Sequence, residues 1–76
     1  MPPKKSAANQ ALGRAIRSTR HERGLAQEAL AARAGIDRSY CGAIERGEFN
    51  VTLDTLAKIA AALGTSASHL LARVEL

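Results

Sequence analysis

An all-α fold of five short helices is what this 76-residue chain predicts, and three observations carry the expectation. Aromatic residues are nearly absent, with one Tyr, one Phe and no Trp, so Ala and Leu must build the core, and small side chains suit closely packed helices. Apolar residues recur three and four apart along most of the chain, the spacing that lines one face of a helix. Glycines punctuate these runs: Gly24, Gly35, Gly47 and Gly64 each follow a periodic segment. The length suits one small domain and is expected to exclude a separate sensing or catalytic one. A domain of this size is marginally stable alone, and dimerisation is a usual remedy.

Residues 1–8, with Pro2, Pro3, Lys4 and Lys5, offer nothing to bury and read as a flexible basic N-terminal arm, leaving residues 9–76 as the folded domain. Asn9 is the expected cap of a first helix over residues 10–22, with Leu12, Ala15, Ile16 and Thr19 as its inner stripe. Arg14, Arg17, Arg20 and Arg23 recur every third residue on this helix, so they wind around it and cannot share one task. Leu25 packs the next corner.

Residues 27–46, QEALAARAGIDRSYCGAIER, are two amphipathic helices around a glycine corner. Leu30, Ala31 and Ala34 share one face of the first, and Cys41 and Ile44 share one face of the second, so the two stripes can meet. Ala31 serves by its smallness, because two helices crossing steeply through a short turn come close at one point. Gly35 stands where the chain must reverse in a left-handed conformation. Ile36 plugs the corner, and Asp37 is the expected N-cap of the second helix, its carboxylate accepting from free N–H groups of the next turn. This arrangement is a helix-turn-helix, made by helices two and three.

Thr52 is expected to cap a fourth helix with Asp54 in its first turn. Leu53, Leu56, Ala57, Ile59, Ala60 and Leu63 read as its core face. Ser66 can cap a short fifth helix carrying His69, Leu70, Leu71 and Arg73. Val74 and Leu76 take the apolar content beyond what five helices need. Helices four and five with the C-terminus are therefore expected to offer a homodimer surface, the alternative being packing back onto helix one.

Gln27, Leu30–Ala31, the Ala-Gly-Ile of residues 34–36, the polar Asp37 and the closing Ile-Glu-Arg-Gly of residues 44–47 resemble the phage-repressor and Cro-like helix-turn-helix family of the xenobiotic-response-element type. The resemblance runs from Leu12 to Leu71, and IDRSYCGAIERGEFN resembles restriction-modification controller proteins as well as prophage repressors. It implies a compact lambda-repressor-like domain that binds double-stranded DNA as a homodimer on a palindromic operator. Its two recognition helices would enter successive major grooves roughly 34 Å apart. The net charge of +4, with eight arginines and three lysines, suits a polyanionic partner.

On that architecture the first turn of helix three enters the groove. Arg38 is the leading candidate for base readout, because its forked donors fit guanine O6 and N7. Ser39 can meet a base edge or a phosphate, and Tyr40 can bond a phosphate through its hydroxyl or lay its ring beside bases. Ala43 can place its methyl against a thymine methyl. Gly42 costs roughly 1 kcal/mol relative to Ala in a helix interior, so its missing side chain should have a use, close approach to the groove being one. The resemblance implies phosphate contacts by Gln27 and the loop around Asn50, with Arg46 supplying charge and Arg17 a further candidate. It also implies that Arg20 pairs with Glu45 while reaching a phosphate, a carboxylate fixing the fork before DNA arrives; an ordinary exposed arginine is the alternative. Ala26 departs from the family's usual Ser, Thr or Asn cap, a loss of about 1 kcal/mol. Glu48 argues against a strongly electrostatic loop, and Glu28 favours the start of helix two.

One cysteine allows no internal disulfide and fits a reducing cytoplasm, where a buried Cys41 would act as a small hydrophobe. No apolar run approaches membrane-spanning length, and MPPKKSAA lacks a secretory centre. There is no phosphate-binding glycine loop, no metal-spaced Cys/His set and no nucleophile-base pair; His69 is lone. The expectation is a bacterial or phage transcriptional regulator, not an enzyme, with no cofactor, metal, membrane or small-molecule partner. The alternatives are an antitoxin and a protein-interaction module of the same fold.

Overall fold

Five helices follow one another in the computed structural model, which describes residues 5–76: α1 (Ala7–Glu22), α2 (Gln27–Ala34), α3 (Arg38–Glu45), α4 (Leu53–Ala62) and α5 (Ala67–Ala72). The all-α expectation holds, with no strand among the described residues. α1 begins at Ala7 and not at Gln10, because Ser6 is the better-placed cap: its hydroxyl accepts from the Asn9 backbone N–H at 3.0 Å. Ala7 and Ala8, both strong helix formers, are thereby taken out of the expected arm, of which residues 1–4 lie outside the described residues. Asn9 loses its expected capping task and donates instead from its side-chain amide to Asn50 Oδ1 at 2.8 Å.

Each helix sends at least one large side chain to a common core, where Ile16, Leu30, Ile44, Ile59, Leu63 and Leu70 are fully buried. The stripe of Leu30, Ala31 and Ala34 joins Cys41 and Ile44 in that core as expected, and Gly35 turns the chain between them at φ +69°. Cys41 is buried, and burial pushes its thiol pKa up, so it stays a neutral small hydrophobe. Thr52 and Ser66 cap α4 and α5, each accepting from a backbone N–H at 3.1 Å. Ala26 makes no side-chain cap bond. Asp37 occupies the cap position of α3 without capping it, because its carboxylate accepts the Ser39 hydroxyl at 2.8 Å.

One correction concerns which face of α4 looks inward. On α4 only Leu56, Ile59, Ala60 and Leu63 are buried, whereas Leu53 is 71% exposed and Ala57 is exposed. The apolar arc of this helix is wider than the strip covered by α2 and α5, so Leu53 and Ala57, four apart, form an outer ridge with Ala61. At the other end α5 does pack back onto α1. Arg73 donates to Glu22 Oε1 and Oε2 at 3.0 and 2.6 Å and to Thr19 Oγ1 at 2.6 Å, while Leu71 and Leu76 stay exposed.

α1 and α3 cross at Gly13, a residue that sequence reasoning did not single out. A Cβ there would fall 2.7 Å from the Ile44 carbonyl oxygen and nearer still to that of Glu45. Only a residue without a side chain allows this approach. It sets the depth at which α3 is held.

Candidate nucleic-acid interface

α3 has an inner edge of Cys41, Ile44 and Glu45, and an outward ridge of Arg38, Gly42 and Arg46, four residues apart. Beneath the helix lies a polar clamp. Arg20 donates from Nε to Glu45 Oε2 at 2.7 Å, from Nη2 to Oε1 at 3.0 Å, and from Nη1 to the Leu25 carbonyl at 2.8 Å. Gln27 adds Nε2 to Glu45 Oε1 at 3.0 Å. The side chains of Arg20 and Glu45 are only 10% and 3% exposed, yet no buried side-chain polar atom among the described residues lacks a partner. The hydrogen bond to Glu45 raises the pKa of Arg20 against the opposing effect of burial, so the guanidinium stays charged.

The pairing implied for Arg20 is therefore present, and the exposed-arginine alternative falls. The phosphate contact implied with it finds little open surface, because three nitrogens of the fork already bond inward. The four arginines of α1 do divide their work: Arg14 and Arg17 are exposed, Arg20 is clamped, and Arg23 donates to the Leu63 carbonyl at 2.9 Å.

On the outward side Arg38 is exposed, with only a loose ion pair to Glu28 at 3.8 Å. Ser39 is exposed beside Asp37. Gly42 is covered by flexible side chains: a Cβ would meet Arg46 Nη1 at 3.1 Å and Gln27 Oε1 at 3.2 Å. Arg46 donates to Glu48 through Nε at 2.8 Å and Nη2 at 3.2 Å, and this hydrogen-bonded guanidinium holds the Glu48 carboxyl below its usual pKa. Asn50 is exposed and bonded to Asn9.

Ala43 is 5% exposed, so its methyl is withdrawn from the surface and the expected thymine contact is corrected. Tyr40 is half-buried, its ring 5.8 Å from that of Phe49 in an edge-on arrangement at 71°. The ring thus packs the α3–α4 loop and is not laid open for stacking on bases. Phe49 had no assigned role, although a lone Phe in a chain so poor in aromatics was a signal available in the sequence. Among the described residues no group of three His, Cys, Asp or Glu is placed to hold a metal, and no helix is long and apolar enough to cross a membrane.

A short helix held through a glycine turn by a second, clamped from below and carrying exposed arginines above, defines a helix-turn-helix DNA-binding domain. The family described as Helix-turn-helix matches residues 16–70, and the chain belongs to it. The chain is 50% identical over 58 residues to control protein C.SmaI of Serratia marcescens, across 76% of its own length and 69% of the relative's. It is 41% identical over 64 residues to control protein C.MunI of a Mycoplasma species, across 83% and 86% of the two lengths. The crystal structure of the restriction-modification controller protein C.AhdI from Aeromonas hydrophila superposes with a TM-score of 0.83 at 42% identity, over 86% of this chain and 98% of that one. The protein is thus a helix-turn-helix regulator similar to restriction-modification controller proteins.

Proposed function

We propose that the protein binds a palindromic duplex-DNA operator as a homodimer and regulates transcription in the bacterial cytoplasm by binding alone, with no chemical step. The observation that carries the reading is the clamp of Arg20, Glu45 and Gln27 under α3. A buried ion pair contributes little net stability over apolar packing, so its use here is to fix the angle of α3 and the exposure of Arg38. Arg38 and Ser39 read base edges in the major groove, and Arg17, Asn50 and the rim of Gln27 meet phosphates. Tyr40 contributes through its hydroxyl, its ring being committed to Phe49. The outer apolar ridge of Leu53 and Ala57, with exposed Leu71 and Leu76, supports dimerisation through α4, α5 and the C-terminal residues.

The test is selection of bound sequences from a random duplex pool at physiological salt, with wild type and Arg38→Ala in parallel. The expected result is a palindrome with at least one guanine per half-site, whose guanine preference disappears in the variant. Binding that fades uniformly with salt and selects no motif would overturn the reading in favour of a protein partner. Sedimentation of Leu53→Glu should show a monomer where wild type is a dimer.

A further inference from the structure

We infer that Arg46 is a second base-reading residue, aimed along the groove-facing ridge of α3, and that Gly42 and Glu48 are the residues that aim it. This rests on the DNA-binding reading above and deepens it. Arg46 is the C-cap of α3 with helical backbone, so its side chain leans back toward the helix N-terminus and over residue 42. Its guanidinium lies over Gly42, with Nη1 only 3.1 Å from the point a Cβ there would occupy and Gln27 Oε1 at 3.2 Å beside it. Arg38, Gly42 and Arg46 stand on one ridge, so the missing side chain in the middle is the seat of the fork. This gives the helix-interior glycine the use its cost demands.

Glu48 holds the opposite edge of the same guanidinium, through Nε and Nη2. With that edge taken, the donors left are those of Nη1 and the second hydrogen of Nη2, a pair that matches guanine O6 and N7. A carboxylate that fixes the fork beforehand lowers the ordering cost of such a contact. The same carboxylate repels a phosphate approaching Arg46, whereas a base edge carries no net charge. The geometry therefore favours the groove over the backbone. Eight residues of helix span roughly 12 Å, and the backward fold shortens this. At 3.4 Å per base step the second position lies within about four steps of the one read by Arg38.

The experiment repeats the random-pool selection with wild type, Arg46→Ala, Glu48→Gln and Gly42→Ala, after circular dichroism has confirmed that each variant keeps its helices. Arg46→Ala should erase base preference at one position per half-site, different from the position lost in Arg38→Ala, with discrimination there falling about 5- to 150-fold. Glu48→Gln and Gly42→Ala should weaken preference at that same position and leave the Arg38 position untouched. A motif unchanged in Arg46→Ala, with binding uniformly weaker and the salt slope reduced by about one, would make Arg46 a phosphate contact and overturn the inference. If Arg46→Ala behaves as expected but both other variants keep the wild-type preference, the aiming roles of Gly42 and Glu48 are overturned. If wild type itself selects no motif, the DNA-binding reading falls, and this inference with it.

Discussion

The Arg20–Glu45 pair beneath α3 and the Arg38–Glu28 pair on its outer side are the same two residue types put to opposite uses. The first is 2.7 Å long with side chains 10% and 3% exposed; the second is 3.8 Å long with side chains 67% and 76% exposed. Burial makes the difference. In the low-dielectric seam each charge must be matched, and Arg20, Gln27 and Leu25 supply a complete set of partners. At the surface water screens the pair, so Arg38 remains free to exchange Glu28 for a better acceptor. A rigid base under the helix and a loose layer above it is what a reading helix requires: its angle must not change, and its side chains must.

The comparison breaks most visibly at Glu45. Replacing Glu45 by Ala leaves the Arg20 guanidinium buried without its counter-ion and should cost about 3–5 kcal/mol, enough to unfold much of a domain this small. Urea denaturation measures it, and a loss below about 1 kcal/mol would show that the clamp is not what holds α3. Gly13→Ala comes next. The new Cβ runs into the backbone of Ile44 and Glu45, so despite the better helix propensity of Ala the thermal midpoint should fall, by the equivalent of about 1–3 kcal/mol.

Smaller effects lie outside the seam. Ala26→Ser restores a missing cap oxygen at α2 and should stabilise the fold by about 1 kcal/mol in the same urea assay. Glu28→Gln removes the loose surface partner of Arg38 and should change stability by no more than about 0.5 kcal/mol; a larger loss would mean that the outer pair is structural after all. The slightest effect is on the acid side. Arg73 holds the Glu22 carboxyl below its usual pKa, so this pair contributes above the unfolded-state value and is lost only as pH falls through the lower folded-state value. Protection of the amides at the α1–α5 contact, relative to their intrinsic exchange, should thus be steady through mildly acidic pH and fall only below the ordinary carboxylate range. In Glu22→Gln it should be reduced at neutral and mildly acidic pH and match wild type once the pair is lost.

Part of the site was legible in the residues because it rests on local rules. Gly35, Ala31 and the stripes around them follow from turn sterics and helical period, and the Arg20–Glu45 pair followed from resemblance. What was misread depends on which of several available partners a polar group takes. Asp37 takes the Ser39 hydroxyl two residues on instead of a backbone N–H, and Asn9 takes Asn50 from a distant part of the chain. The use of Gly42 could not be seen before Arg46 was placed over it.

The sequence by itself determined the number and order of helices, the turn of the motif and most of the residues that form the core, since propensity, period and capping act within a few positions. Only the tertiary structure decided which polar residues would be scaffold and which surface. The crossing depth at Gly13 brought α1 against the Ile44–Glu45 backbone; the width of α4 relative to its partners left Leu53 and Ala57 outside; and the place left open at Gly42 received the Arg46 guanidinium. Each of these is set by how closely two elements approach, a quantity that no run of residues specifies alone.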